Sequence, residues 1–183
     1  MVLKSVFKSF SGLRVFEWFL ARPTRKIHFK ELCRELGLSP LTVKTYCEEF
    51  VAREWLLDER QANLRIFSLN DGNYAIKAFK RAFFLDALRE CGVEELVNDG
   101  VISFALYGSH ASGDYDEKSD VDLLVVGRKE QVDYARVKAL EKKTGKNIQL
   151  IVFSLNDWSE KKVRNPFAQS ILRNHVLIKG VAL

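Results

Sequence analysis

Two stretches of the chain hold residue types whose spacing implies chemistry. In the first, the β-like run Val101 to Tyr107 (VISFALY) stops at Gly108-Ser109, after which His110-Ala111-Ser112-Gly113 can start a helix. A strand that turns into a helix at Gly-Ser leaves backbone amides free at the positive end of the helix dipole, where phosphate is favoured. It is not a Walker loop, because no Lys-Ser/Thr pair follows a GxxxxG. In the second, Ser119-Asp120-Val121-Asp122 leads into Leu123-Leu124-Val125-Val126. Alternate residues of a strand face the same way, so Asp120 and Asp122 project together while Val121 enters the core. Carboxylates held side by side repel unless a proton or cation joins them, which suits this pair to Mg²⁺ beside a bound phosphate. The plainer alternative is two turn aspartates capping a strand; the order of phosphate cradle, then metal ligands, favours the chemical reading.

The whole stretch GSHASGDYDEKSDVDLLVV resembles the core motif of the DNA polymerase β-like nucleotidyltransferase superfamily, particularly its minimal members, with GSxAxG followed by SDxDL and a hydrophobic run. The resemblance implies that Gly108 and Ser109, with Ser119, hold nucleotide phosphates. It also implies that Asp120 and Asp122 are the catalytic pair and bind Mg²⁺, with a nucleoside triphosphate as substrate or ligand. The reaction would be phosphoryl transfer with pyrophosphate leaving. The family's third carboxylate falls on the next strand, and here Asn147 to Phe153 carries Gln149 in its place. An amide has no negative charge and cannot accept a proton near neutral pH. Transfer is therefore expected to be sharply reduced or lost, while phosphate and one metal can still bind. Asp114, Asp116 and Glu117 lie in the preceding loop and are not expected to substitute. His110 can contact ligand or sit at the surface; His28 and His175 read as structural.

The elements ahead of this site form a different pattern. Leu13, Phe16 and Leu20 are at helical spacing before Pro23; Phe29, Leu32, Cys33 and Leu36 repeat at i, i+3, i+4, i+7 before Gly37. Ser39-Pro40 is a helix start, and Val43, Cys47 and Phe50 form the buried face of the helix that follows. WLLDER and LRIFSL then read as a hairpin turning at Gln61 to Asn63. Phe29 to Leu69 resembles the winged helix-turn-helix of bacterial and archaeal transcription regulators. That resemblance implies DNA contacts from Thr42, Lys44, Thr45 and Tyr46 in the major groove and from Arg60 or Arg65 on the hairpin. The alternative is an ordinary solvated helix face.

The expected fold class is α+β in two domains. Residues 1–70 form a winged helix, mainly α with a β-hairpin wing; 71–98 are connecting helices; 99–183 form a nucleotidyltransferase fold with a mixed β-sheet and flanking helices. In the connector, Ile76, Phe79, Phe83 and Ala87 share one face, and Tyr74, Phe84, Leu85 and Leu88 widen it beyond one packing surface. A homodimer through this helix is the preferred reading, packing within the chain the other. The tail, from Leu155-Asn156-Asp157-Trp158 through Asn165-Pro166-Phe167 to Val176–Gly180, resembles that of microbial proteins joining these two domains. Its Lys161, Lys162, Arg164 and Arg173 read as a solvated face that could also meet nucleotide or nucleic acid.

Bulk properties agree with an ordinary globular chain of 183 residues, 47% hydrophobic and 29% charged, with a formal charge of +5. Residues 1–70 carry +4, 71–100 carry −2 and 101–183 carry +3, so both ends are basic. Cys33, Cys47 and Cys91 are too few and too scattered for a disulfide framework or a metal knuckle, which fits a reducing cytoplasm. Met1 to Phe10 lacks a signal-peptide core and no apolar run approaches the roughly 20 residues that span a bilayer. Together these features point to a cytoplasmic DNA-binding transcriptional regulator whose second domain binds nucleotide and Mg²⁺. The alternative is an active minimal nucleotidyltransferase acting on a small molecule or a protein partner such as a toxin.

Overall fold

The computed structural model describes residues 10–183. The segment read for a signal peptide lies, up to Ser9, outside the described residues. The chain divides into two compact units, one ending at Phe83 and the other beginning at Phe84, each with its own core. No helix among the described residues is long and apolar enough to cross a membrane.

The first unit opens with α1 (Ser11–Leu20), which buries Val15, Phe16, Trp18, Phe19 and Leu20. A two-residue strand, β1 (Ile27–His28), leads into α2 (Phe29–Leu36), which stops at Gly37 with φ +61°, a left-handed conformation that glycine adopts without strain. Helix α3 (Pro40–Ala52) starts as its sequence requires: the Ser39 hydroxyl accepts from the Thr42 amide at 3.1 Å, and Pro40 occupies the first turn. The i, i+4, i+7 set Val43, Cys47 and Phe50 is buried against α1 and the sheet. Strands β2 (Leu56–Gln61) and β3 (Leu64–Leu69) pair antiparallel, and β1 adds to β3, giving the order β1-β3-β2. The hairpin turn is tighter than its turn-forming residues suggest: Gln61 already pairs with Leu64, and Ala62 takes a positive φ of 52° to close it.

Helix α4 (Tyr74–Glu90) crosses the division between the units. Its first half puts Ile76, Phe79 and Phe83 into the first core, and its second half puts Phe84, Leu85 and Leu88 into the second. On this apolar surface Ile76 and Leu88 are buried, Phe79, Phe83, Phe84 and Leu85 are half-buried, and Tyr74 and Ala87 are exposed. Of residues 71–98, those up to Phe83 fall in the first unit and those from Phe84 in the second. A short 3-10 turn, Val93–Leu96, follows.

The second unit is a four-stranded mixed sheet of order β6-β5-β4-β7. Strand β4 (Ser103–Tyr107) runs antiparallel to β5 (Val121–Val126) and to β7 (His175–Gly180). Between β4 and β5 lies the short helix α5 (Gly108–Ser112). Strand β6 (Ile148–Phe153) is parallel to β5, so the chain crosses over, and α6 (Tyr134–Thr144) provides the crossover. Helices α7 (Leu155–Arg164) and α8 (Pro166–Arg173) complete the unit before β7.

Both faces of the central strands are covered. Phe104, Leu106, Val121, Leu123 and Val125 pack with Leu96, Val137 and Leu140; Tyr107, Leu124 and Val126 pack with Trp158, Ala168 and Ile171. This explains the near-continuous apolar runs of β4 and β5, each fully buried side chain contributing about 1.5–3 kcal/mol. Asp122 interrupts β5 on the same side as Leu124 and Val126, at the strand's beginning, where that face opens to solvent.

Candidate functional site

The local turn from β4 to α5 sets the geometry of the site. Gly108 has φ +70°, and a Cβ there would run into the Asp122 carboxylate, so glycine is required both for the backbone angle and for the close approach of the next strand. Register places the partners side by side: Tyr107 pairs with Asp122 across the antiparallel ladder, and Asp122 pairs with Gln149 across the parallel one. The Gln149 amide nitrogen donates to Asp120 Oδ2 at 2.7 Å. Asp120, Asp122 and Gln149 therefore stand together at the starts of β5 and β6, as the alternation of strand side chains requires.

A cleft of about 520 Å³ opens beside them. Gly108, Ser112, Asp114, Asp122 and Gln149 are among its polar lining, and Tyr107, Ile151, Phe167 and Ile171 supply apolar surface. That volume is within the range of small-molecule sites. The Asp122 carboxylate makes no hydrogen bond or ion pair among the described residues, and burial, then the neighbouring Asp120 charge, pushes its pKa up. Burial and the nearby Asp122 charge push the Tyr107 phenol up to about 12, so it stays neutral at physiological pH.

Three expected site residues are not on the cleft lining; one of them, Asp120, still meets it through its hydrogen bond from Gln149. Ser119 does not line the cleft: its hydroxyl donates to Asp116 Oδ1 at 2.8 Å and accepts from the Asp116 amide at 2.9 Å. The hydroxyl first, and then the Lys118 amide that donates to the same oxygen, lower the Asp116 pKa. The Lys146 ammonium binds the carbonyls of Asp116, Glu117 and Ser119, each at 3.3 Å, so this loop is fastened from within. Ser109 is half-buried beside Gly108 but is not on the cleft lining. His110 is neither at the surface nor in the cleft; it is buried, with its ring 4.1 Å from Phe84 and stacked 4.4 Å from Tyr115. Asp114, set aside on sequence grounds as a loop residue, does line the cleft.

Among the described residues no three His, Cys, Asp or Glu side chains gather to hold a metal, so Asp114 does not complete a three-acid set. The donors that remain, Asp120 and Asp122, fit one Mg²⁺ completed by phosphate oxygens and water, the arrangement in which that ion is usually held. They do not fit a pair of ions, because Gln149 brings an amide and already occupies one oxygen of Asp120. Bound there, Mg²⁺ would neutralise phosphate charge.

The residues expected to contact DNA all lie in the first unit, with unequal freedom. Lys44 and Arg60 are exposed and make no ion pair among the described residues. The Thr42 hydroxyl is 2.8 Å from the Ser39 hydroxyl, and the Thr45 hydroxyl donates to the Leu41 carbonyl at 3.0 Å, as polar side chains often do on helices. Arg65 is already engaged, by Asp58 at 2.7 Å and Glu48 at 3.0 Å. Tyr46 packs its ring against Gly12 and stacks on Phe50, so only part of it faces outward.

Residues 89–177, just under half the chain, match the family model described as a nucleotidyltransferase domain. The match spans the cleft and every residue of its floor. Among solved structures, a Sulfolobus solfataricus protein provisionally named a nucleotidyltransferase is 25% identical over 58% of this chain and 94% of its own, with a TM-score of 0.33. No curated protein matches the chain. The family match lies within the second unit, whose mixed sheet and helices are consistent with a nucleotidyltransferase fold.

Proposed function

We propose that the cleft of the second unit binds a nucleoside triphosphate with one Mg²⁺, without efficient transfer. We further propose that the first unit is a winged helix-turn-helix that binds double-stranded DNA. The chain would then act as a nucleotide-responsive transcriptional regulator. The observation that carries the ligand half is Gln149: it stands in register with Asp122 and donates to Asp120, where an acid would otherwise complete the metal set. A neutral amide supplies neither charge for a second ion nor a base for an attacking hydroxyl. Phosphate and one ion retain Gly108, Asp120 and Asp122.

Support for the DNA half is the order of helix, helix, capped helix and hairpin, with Lys44 and Arg60 presented to solvent. If nucleotide alters DNA affinity, DNA must alter nucleotide affinity by the same factor. The test is incubation with ATP, CTP, GTP or UTP and Mg²⁺, following pyrophosphate. Binding without pyrophosphate release is expected. Release that disappears in the Asp120→Asn, Asp122→Asn double variant would instead establish an active transferase.

A further inference from the structure

The polar floor of the cleft accounts for phosphate and metal, but half of its lining does neither. Phe167, in the first turn of helix α8, and Asn174, just beyond its end, both line the same cleft. Phe167 is 43% exposed and its ring packs T-shaped with that of Tyr107, with centroids 5.8 Å apart and planes at 84°, so the ring is held in a fixed orientation. Its backbone is fixed as well: the Asn165 side chain accepts from the Phe167 amide at 2.8 Å, and the Ser170 hydroxyl donates to the Phe167 carbonyl at 2.7 Å. Asn174 is half-buried, yet its side-chain amide makes no hydrogen bond among the described residues. An amide in a cleft, with donors and acceptor uncommitted, loses hydration on ligand binding and must be satisfied by that ligand.

An aromatic face beside an uncommitted amide suits a planar ring with a hydrogen-bonding edge better than a saturated or purely apolar group. The geometry points to a nucleobase subsite in which Phe167 is the stacking platform and Asn174 reads the base edge. This inference rests on the nucleotide reading above and deepens it, since it assigns base selection to residues outside the Gly108 and Asp120–Asp122 floor. Ser170 keeps acceptor capacity on its hydroxyl while donating to Phe167, and so can assist Asn174.

The test compares, by calorimetry on the full chain with Mg²⁺, the four nucleoside triphosphates and inorganic tripolyphosphate. A base subsite makes at least one nucleoside triphosphate bind more than tenfold tighter than tripolyphosphate. Phe167→Ala should then weaken that nucleotide by about 5- to 100-fold, the range of one lost base stack, and leave tripolyphosphate unchanged. Phe167→Leu, which keeps apolar bulk, should behave like Phe167→Ala, and Asn174→Ala should narrow the spread among the four bases. Nucleotides and tripolyphosphate binding equally, or nucleotide affinity indifferent to Phe167→Ala, would overturn the base subsite while sparing a phosphate site. No binding of any of them would overturn both.

Discussion

At the scale of single residues, the site is held by requirements that only certain side chains meet. Gly108 combines a positive φ with the space that the Asp122 carboxylate fills. Gly108→Ala should therefore destabilise the second unit by about 1–3 kcal/mol and weaken nucleotide binding, as read by urea unfolding and calorimetry. Tyr107 gives a pH signature. Burial raises its phenol to about 12 in the folded chain, above the ordinary value near 10. A group raised on folding contributes stability that is complete below the unfolded pKa and is lost as pH rises through the folded one. Unfolding midpoints should accordingly fall between about pH 10 and 12, and fall less in Tyr107→Phe, where no phenol ionises; equal losses in both would place the alkaline sensitivity elsewhere. That Asp120 and Asp122 stand side by side was legible from strand alternation, and that Gln149 joins them was legible only through the resemblance to the family's next strand. Phe167 and Asn174 were not, because they lie 45 and 52 residues beyond Asp122, in and just after α8, and only tertiary packing brings them to the cleft.

At the scale of elements, local signals were read most directly where they are self-contained. Ser39-Pro40 starts α3, Gly37 stops α2, and the apolar repeats of both helices are the buried faces. The surface left outward by α3 is harder to read from sequence, because its partners are distant. Arg65 looks like a free wing cation until Glu48, 17 residues away on α3, is brought beside it. Tyr46 looks outward until α1 supplies Gly12 as its seat. These placements divide the DNA prediction between residues. Lys44→Ala should weaken binding to unrelated duplexes alike and lower the salt slope by about one. Arg65→Ala should leave that slope nearly unchanged, because Asp58 and Glu48 already offset its charge. Fluorescence anisotropy across a salt series checks both, and an unaltered slope in Lys44→Ala would count against the α3 face.

For the molecule as a whole, the sequence showed that the α4 face was too wide for one packing surface, but not where the surplus went. The same helix feeds Phe79 and Phe83 to one core and Phe84 and Leu88 to the other, so the division at Phe83 and Phe84 falls inside it and not in a linker. Composition and charge could not foretell this, because it depends on which apolar clusters each half of the helix meets. The proposed combined function turns on the floor of one cleft. Calorimetric titration of ATP, CTP, GTP and UTP, with and without Mg²⁺, into the native chain and into Asp122→Asn addresses that floor. Native protein should bind a nucleoside triphosphate far more tightly with Mg²⁺ than without, and Asp122→Asn should lose that dependence. Binding that ignores Mg²⁺ in both proteins, or no binding in either, would contradict a metal-assisted nucleotide site at Asp120 and Asp122.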